Sequence, residues 1–250
     1  MTHTATTTPL PATPALHRTR IKVCGLTRES DVDAAVAAGV DAIGFVLYEK
    51  SARHVSVARA AELAHRLPPF VTPVLLFVNE DISKIIAACA SVAGAIAQFH
   101  GDESAADCWA ASEWGKRPYL RAARIPLGEA GRSFDLLKFA QDYSQAQAIL
   151  LDAHVDGYGG GGHAFNWSLL PQNVNAHLVL SGGLNAANVI DGISRVRPRC
   201  KTLSVDISSG VEVPGQKGIK DPAKMHAFVA AVRQADQQLG ALATPASQTL

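Results

Sequence analysis

RIKVCGLTRESDVDAAVAAGVDAIGFVL, residues 20–47, carries the pattern on which the whole chain is built. Arg20–Cys24 is a short run of apolar and β-branched residues, Ser30–Ala38 has apolar residues at helical spacing, and Asp41–Leu47 is a second apolar run. A strand, a helix and a strand in that order call for two parallel strands joined by a crossover helix. Moving outward, the rhythm repeats. Further strands are expected at Thr72–Val78, Gly94–Gln98, Tyr119–Ala123, Ala148–Asp152, His177–Ser181 and Thr202–Asp206, which makes eight strands of roughly the usual ~5 to 6 residues. Between them, helices are expected at Val57–Arg66, Asp81–Cys89, Ala105–Glu113, Phe134–Asp142, Ala186–Ile193 and Pro222–Gln238. The unit after the sixth strand is the weakest, since only Trp167–Leu170 reads as helical before Pro171.

Eight such units in 250 residues fit a single α/β domain folded as a (β/α)8 TIM barrel. An open doubly wound sheet would give a similar alternation, so the periodicity favours the closed barrel without deciding it. Start signals mark the helices: Ser30 with Asp33 three residues on, Ser56 ahead of Val57, and Asp221 followed by Pro222. The domain is expected over residues 20–238. Met1–Thr19, rich in Thr, Pro and Ala, reads as a disordered extension, and residues 239–250 as a frayed tail.

Composition narrows the function classes. Hydrophobic residues make up 48% and charged residues 18%, enough apolar material for a core. The net charge of +1, with no basic run interleaved with aromatics, argues against nucleic acid as a partner. No apolar stretch approaches the ~20 residues that span a bilayer, and no secretory signal pattern opens the chain. Cys24, Cys89, Cys108 and Cys200 are far apart and form no C-x-x-C pair, which disfavours a zinc cluster or a disulfide framework and fits a cytoplasmic protein. No interface stripe stands out, so a monomer is expected.

In a parallel barrel the functional groups gather where the strands end. Strand one stops at Lys22-Val23-Cys24-Gly25-Leu26, strand two runs into Tyr48-Glu49-Lys50-Ser51-Ala52-Arg53, and strand four ends at Gln98-Phe99-His100-Gly101. Strand six ends at Leu150-Leu151-Asp152, ahead of the glycine run 159–162 and Phe165-Asn166-Trp167. Ser181-Gly182-Gly183-Leu184 follows strand seven, and Val205-Asp206-Ile207-Ser208-Ser209-Gly210-Val211-Glu212 closes strand eight. Each motif alone is weak: a glycine pair is often a mere turn, and a free cysteine often a small buried hydrophobe.

Together, and in this order, they resemble the phosphoribosylanthranilate isomerase family over roughly residues 20 to 238. The resemblance implies a TIM barrel, a small phosphosugar substrate and an acid–base Amadori rearrangement in tryptophan biosynthesis that needs no metal and no redox cofactor. It implies Cys24 as general base and Asp152 as general acid. It places Arg53 on the substrate carboxylate, and Gln98, His100 and Asp206 in the substrate pocket. The phosphate would lie on Gly182, Gly183, Ser208, Ser209 and Gly210, and the glycine run 159–162 would be a mobile cover. The sequence departs from the family pattern at Gly161, where Thr is usual, at Asn166, where Asp is usual, and at Glu49 and Ala52, where prolines are common. These changes bear on loop stiffness more than on chemistry. Other phosphosugar barrels fit less well: strand one ends in Cys24 and strand five in Ala122-Ala123-Arg124, without a lysine-centred set or a pair of aspartates.

Overall fold

A computed structural model describes residues 18–153 and 165–242. Eight strands, β1 (Arg20–Cys24), β2 (Ala42–Val46), β3 (Thr72–Phe77), β4 (Ile96–Phe99), β5 (Tyr119–Ile125), β6 (Ala148–Ala153), β7 (Val174–Leu180) and β8 (Cys200–Ile207), close in sequence order into one barrel. Every neighbouring pair is parallel, including β1 with β8. The open-sheet alternative is thereby excluded.

Alternation along each strand sorts the side chains into two compartments. Ile21, Val23, Ile43, Phe45, Leu75, Phe77 and Phe99 point outward into one large apolar layer beneath the helices. Val74, Leu120, Ala122, Ala148, Leu150 and Val179 fill the barrel's interior, and Cys24, Val46, Leu76 and Val78 form a smaller cluster nearer its carboxyl end. The interior is therefore plugged with hydrocarbon below and becomes polar above.

Among the described residues seven helices wrap the barrel: α1 (Glu29–Ala38), α2 (Val57–Ala64), α3 (Ile82–Ser91), α4 (Ala105–Ala111), α5 (Leu136–Asp142), α6 (Val189–Val196) and α7 (Pro222–Leu242). Among the described residues between β6 and β7 there is a 3-10 turn, Trp167–Leu169, in the stretch where the periodicity is weak. Among the described residues no helix is long and apolar enough to cross a membrane. Cys89 and Cys108 are core residues, and burial pushes their thiols up to about 11 and about 12.

Helix starts follow side-chain capping where a short polar residue has no competing partner. Ser56 accepts from Arg59 N, Ser104 and Asp107 form a reciprocal capping box, and Asp221 accepts from Ala223 N at 2.9 Å. The expected Ser30 cap is corrected. Helix α1 begins one residue earlier, at Glu29, with Arg28 as an N-cap that makes no side-chain bond. Instead the acidic Glu29 and Asp31 sit in the first turn, where they favour the helix dipole. Asp31 is itself held by the Arg28 guanidinium and by Lys220 N, a partner 189 residues away.

The barrel's limits also differ from the expected boundaries. Thr19, placed in the extension, is fully buried, and α7 continues through residues assigned to the tail. One carboxylate explains both. Asp236 of α7 accepts from Thr19 N at 2.7 Å and from Thr19 Oγ1 at 2.5 Å, and pairs with Arg197 Nη2 at 3.3 Å. Removing Asp236 would leave several buried donors unmet. Asp236→Ala is expected to lower the unfolding free energy by about 3 kcal/mol in urea titrations, and a change below experimental error would show that this clasp does not hold the termini.

Candidate active site

Cys24 ends β1 facing inward and is 5% exposed, with Gly44 of β2 beside it. A Cβ on Gly44 would lie 2.6 Å from Cys24 Sγ and 3.0 Å from Lys22 Nζ, so the missing side chain is what lets those two atoms converge. Lys22, two residues earlier and therefore on the same inward face, donates from Nζ to Asp206 Oδ1 of β8 at 2.8 Å. Burial pushes the Cys24 thiol up, while the Lys22 charge pulls it back. Asp206 also lies within reach of Ser181 Oγ, at 3.4 Å.

Across the mouth, Gln98, His100 and Asp152 form a buried line. Gln98 Nε2 stands 3.0 Å from His100 Nδ1, and His100 Nε2 stands 3.0 Å from Asp152 Oδ2. Ring tautomer and amide orientation fix which way protons run along such a line. With the Gln98 amide donating, His100 Nε2–H donates to an Asp152 carboxylate. With the amide turned over, Oε1 accepts from Nδ1–H and Nε2 accepts a proton held by Asp152. The same heavy-atom frame thus accommodates either arrangement of protons along the line.

Each glycine- or serine-bearing loop touches one of these centres. Gly182 has φ +75°, and a Cβ there would lie 2.7 Å from Asp152 Oδ1 and from Ala153 N, so only glycine lets the loop after β7 approach the carboxylate. In the loop after β8, Ser208 Oγ donates to Cys24 O at 3.0 Å. Among the described residues no backbone carbonyl accepts from the N–H groups of Gly182, Gly183, Ser209 or Gly210. These residues are half-buried, and backbone N–H groups on adjacent loops are of the kind that can hold an anion.

Arg53 is already paired within the protein. Its Nε and Nη2 make a two-pronged bond to Glu212, at 2.7 and 2.9 Å, beneath Gly25, whose φ is +76°. Glu212 also accepts from Lys220 Nζ at 3.1 Å and from Gly218 N at 3.0 Å. Burial opposes ionisation of Glu212, but the Arg53 bonds and the Lys220 charge outweigh it and hold the carboxyl below its usual range. Lys220 Nζ in turn donates to Ser208 O at 3.0 Å, linking this cluster to the loop that touches Cys24. Lys22, Glu212 and Lys220 were not singled out by sequence reasoning. The available signal was charge placed within runs that the barrel must bury. The glycine run 159–162 lies outside the described residues.

Comparison with known proteins now bears on this geometry. The profile of the N-(5'-phosphoribosyl)anthranilate (PRA) isomerase family matches residues 21–231. The chain belongs to the phosphoribosylanthranilate isomerase family. It is 60% identical over 224 residues to the N-(5'-phosphoribosyl)anthranilate isomerase of Methylibium petroleiphilum, covering 90% of this chain and 98% of that one. Against the isomerase of Dechloromonas aromatica it is 57% identical, over 89% of this chain and all of the relative. The solved phosphoribosylanthranilate isomerase of Thermotoga maritima superposes with a TM-score of 0.74 at 36% identity, over 87% of this chain and 100% of that one. A second solved family member, at 33% identity and a TM-score of 0.68 over the same shares, was determined with reduced 1-(o-carboxyphenylamino)-1-deoxyribulose 5-phosphate bound.

The Glu212 cluster gives this isomerase a pH signature. A carboxyl whose folded pKa is depressed stabilises the fold above its ordinary pKa, and that contribution is lost as pH falls through the depressed value. Glu212→Gln leaves Arg53 and Lys220 facing each other without the shared anion. It is expected to cost about 3 kcal/mol of stability at neutral pH, with the difference from wild type shrinking in acid, where Glu212 itself is protonated. Equal stability of the two proteins at neutral pH, read from urea midpoints, would contradict this.

Proposed function

We propose that this family member converts N-(5-phosphoribosyl)anthranilate to 1-(2-carboxyphenylamino)-1-deoxyribulose 5-phosphate in tryptophan biosynthesis, with Cys24 as general base and Asp152 as general acid. In this reading Asp152 gives a proton to the ribose ring oxygen as the C1–O bond breaks, leaving an iminium at C1. The Cys24 thiolate then takes the C2 proton, and the enolamine so formed becomes the ketose by tautomerisation. Each positioned proton-transfer group contributes about 10² to 10⁴-fold. His100 and Gln98 hold Asp152 in orientation, and Asp206 lies against the substrate from β8.

One observation carries the reading: the two loops with unspent N–H groups are each in contact with one of the two proton-transfer residues. Gly182 lies against Asp152, and Ser208 is bonded to Cys24 O. A phosphate seated on Gly182, Gly183, Ser208, Ser209 and Gly210 would fix the ribose relative to both groups at once, which is how remote binding energy serves the reacting centre. The bound phosphosugar of the solved relative supports the substrate class. We further propose that the barrel acts as a monomer in the cytoplasm.

The test is the loss of substrate fluorescence on turnover. Cys24→Ala is expected to reduce kcat by at least about 10³-fold while product affinity stays within a few-fold, because the thiol moves a proton and adds little ground-state binding. A kcat near wild type would remove the base assignment. Asp152→Asn should be similarly depleted, since an amide has no acidic proton to give, and full activity there would reassign the acid.

Arg53 is proposed to read the anthranilate carboxylate with the edge of its guanidinium that Glu212 leaves open. The carboxylate is present in ground and transition states alike, so Arg53→Ala should act mainly on KM, by roughly 30-fold or more for a lost charged hydrogen bond. The variant should also lose its preference over a substrate analogue that lacks the carboxylate. If the ratio of kcat/KM for the two substrates is unchanged, Arg53 does not read that group.

A further inference from the structure

We infer that Lys22 is a positioning residue for the reaction: its ammonium, paired with Asp206, stands beside the Cys24 side chain and favours the thiolate that a base requires against the burial that disfavours it. The inference rests on the assignment of Cys24 as base. Its observations are its own.

Lys22 and Asp206 form a buried ion pair at 2.8 Å inside the barrel, each side chain 6% exposed. Replacing such a pair with hydrocarbon is often neutral or stabilising, so burial alone gives no reason to keep it. The layer below shows that hydrocarbon suffices here: Val74, Leu120, Ala122, Ala148, Leu150 and Val179 fill it without charge. The pair stands one step higher, and its cation lies beside the thiol. Lys22 Nζ and Cys24 Sγ both lie within 3.0 Å of the point that a Gly44 Cβ would occupy. Any side chain at position 44 would intrude between them.

The titratable groups that face the thiol are Lys22 from its own strand, Asp206 from β8, and Lys220 from the segment before α7. Strand β2 offers only Gly44 and Val46 on this side. Burial drives the thiol towards its neutral form, Lys22 is the strongest opposing charge, and Asp206 acts against it. The Asp206 bond keeps Lys22 protonated and fixed; the lysine is held above its ordinary value despite burial. In the reaction Lys22 keeps its protons. The C2 proton passes to Sγ and the sulfur loses its negative charge. When the thiol gives that proton to C1 of the enolamine, the C2 hydroxyl proton passes, directly or through solvent, to the carboxylate of Asp152 spent in the first step, the ketone forms, and the thiolate returns beside the same ammonium.

Lys22 and Asp206 make predictions of opposite sign. Cys24 would be titrated in the free enzyme by the ultraviolet absorbance of its thiolate, with the Cys24→Ser protein subtracted, and by the rate of alkylation at Cys24. Lys22→Met should raise the midpoint by about a unit or more and slow alkylation at fixed pH below it about tenfold. Lys22→Arg should return most of the difference. Asp206→Asn should move the midpoint down, because a charge opposing the thiolate is gone. If Lys22→Met alone does not fold, the Lys22→Met/Asp206→Asn protein removes the stranded carboxylate and should still titrate above wild type. An unmoved midpoint in the folded Lys22 variant, or an upward shift in Asp206→Asn, would overturn the inference. These readouts need no turnover, so they stand apart from the base assignment, which falls if Cys24→Ala keeps its kcat. Where both hold, the acid limb of kcat/KM follows the titration from protein to protein.

Discussion

A closed parallel barrel has no edge strand, and its strands alternate strictly between an inside and an outside. Everything else in this molecule follows from that constraint. An outward residue must join the apolar layer under the helices, and an inward one must either fill the plug or line the mouth. Because the period is two, Lys22 and Cys24 necessarily share the interior while Ile21 and Val23 cannot. The same rule puts Gln98 and His100 on one inward face of β4 and its continuation, opposite Asp152. Catalytic geometry is thus set by strand register, and slipping β1 by one residue would exchange its thiol for a valine.

Bringing polar groups into such an interior creates an electrostatic problem that the chain solves by grouping charges. Lys22 pairs with Asp206, His100 with Asp152, and Arg53 and Lys220 share Glu212. Outside the barrel wall Arg121 is similarly enclosed, donating to Phe99 O and Gly101 O and stacking over Tyr143 with 4.8 Å to the ring centroid. These sets differ in purpose as well as in place. The Arg121 arrangement braces the β4 end that carries His100.

The fold was legible in the sequence because its signals are local. Strand β1 ends where its apolar run ends, and the seven further strands begin and finish within three residues of the expected positions. The order of the strand-end motifs supplied the family. What was not legible depends on partners distant along the chain. Lys22 meets Asp206 across 184 residues and Arg53 meets Glu212 across 159, and no spacing rule reads such pairs. The Ser30 cap failed for the same reason, since Asp31 is held by a backbone N–H of residue 220 and the first turn forms around that contact. Thr19 looked like part of a polar extension until Asp236 gave its N–H and hydroxyl a partner.

The Arg53 pairing gains meaning when the cluster is considered as a whole. A guanidinium held on two of its N–H groups by a buried carboxylate has lost most of its rotational freedom before any ligand arrives, so little ordering entropy remains to be spent on binding. An unpaired arginine at the same place would have to be gathered from many rotamers. Glu212 can afford to share, because Lys220 Nζ and Gly218 N hold the same oxygen and keep the carboxylate satisfied if a second anion draws on Arg53. Lys220 in turn carries that restraint to Ser208, and Ser208 to the carbonyl of Cys24. In the proposed reading, the grip on one end of the substrate and the placement of the thiol are therefore mechanically one unit, and Gly25, pressed against the Arg53 stem, is the hinge-free backbone that lets β1 and the arginine loop share the space.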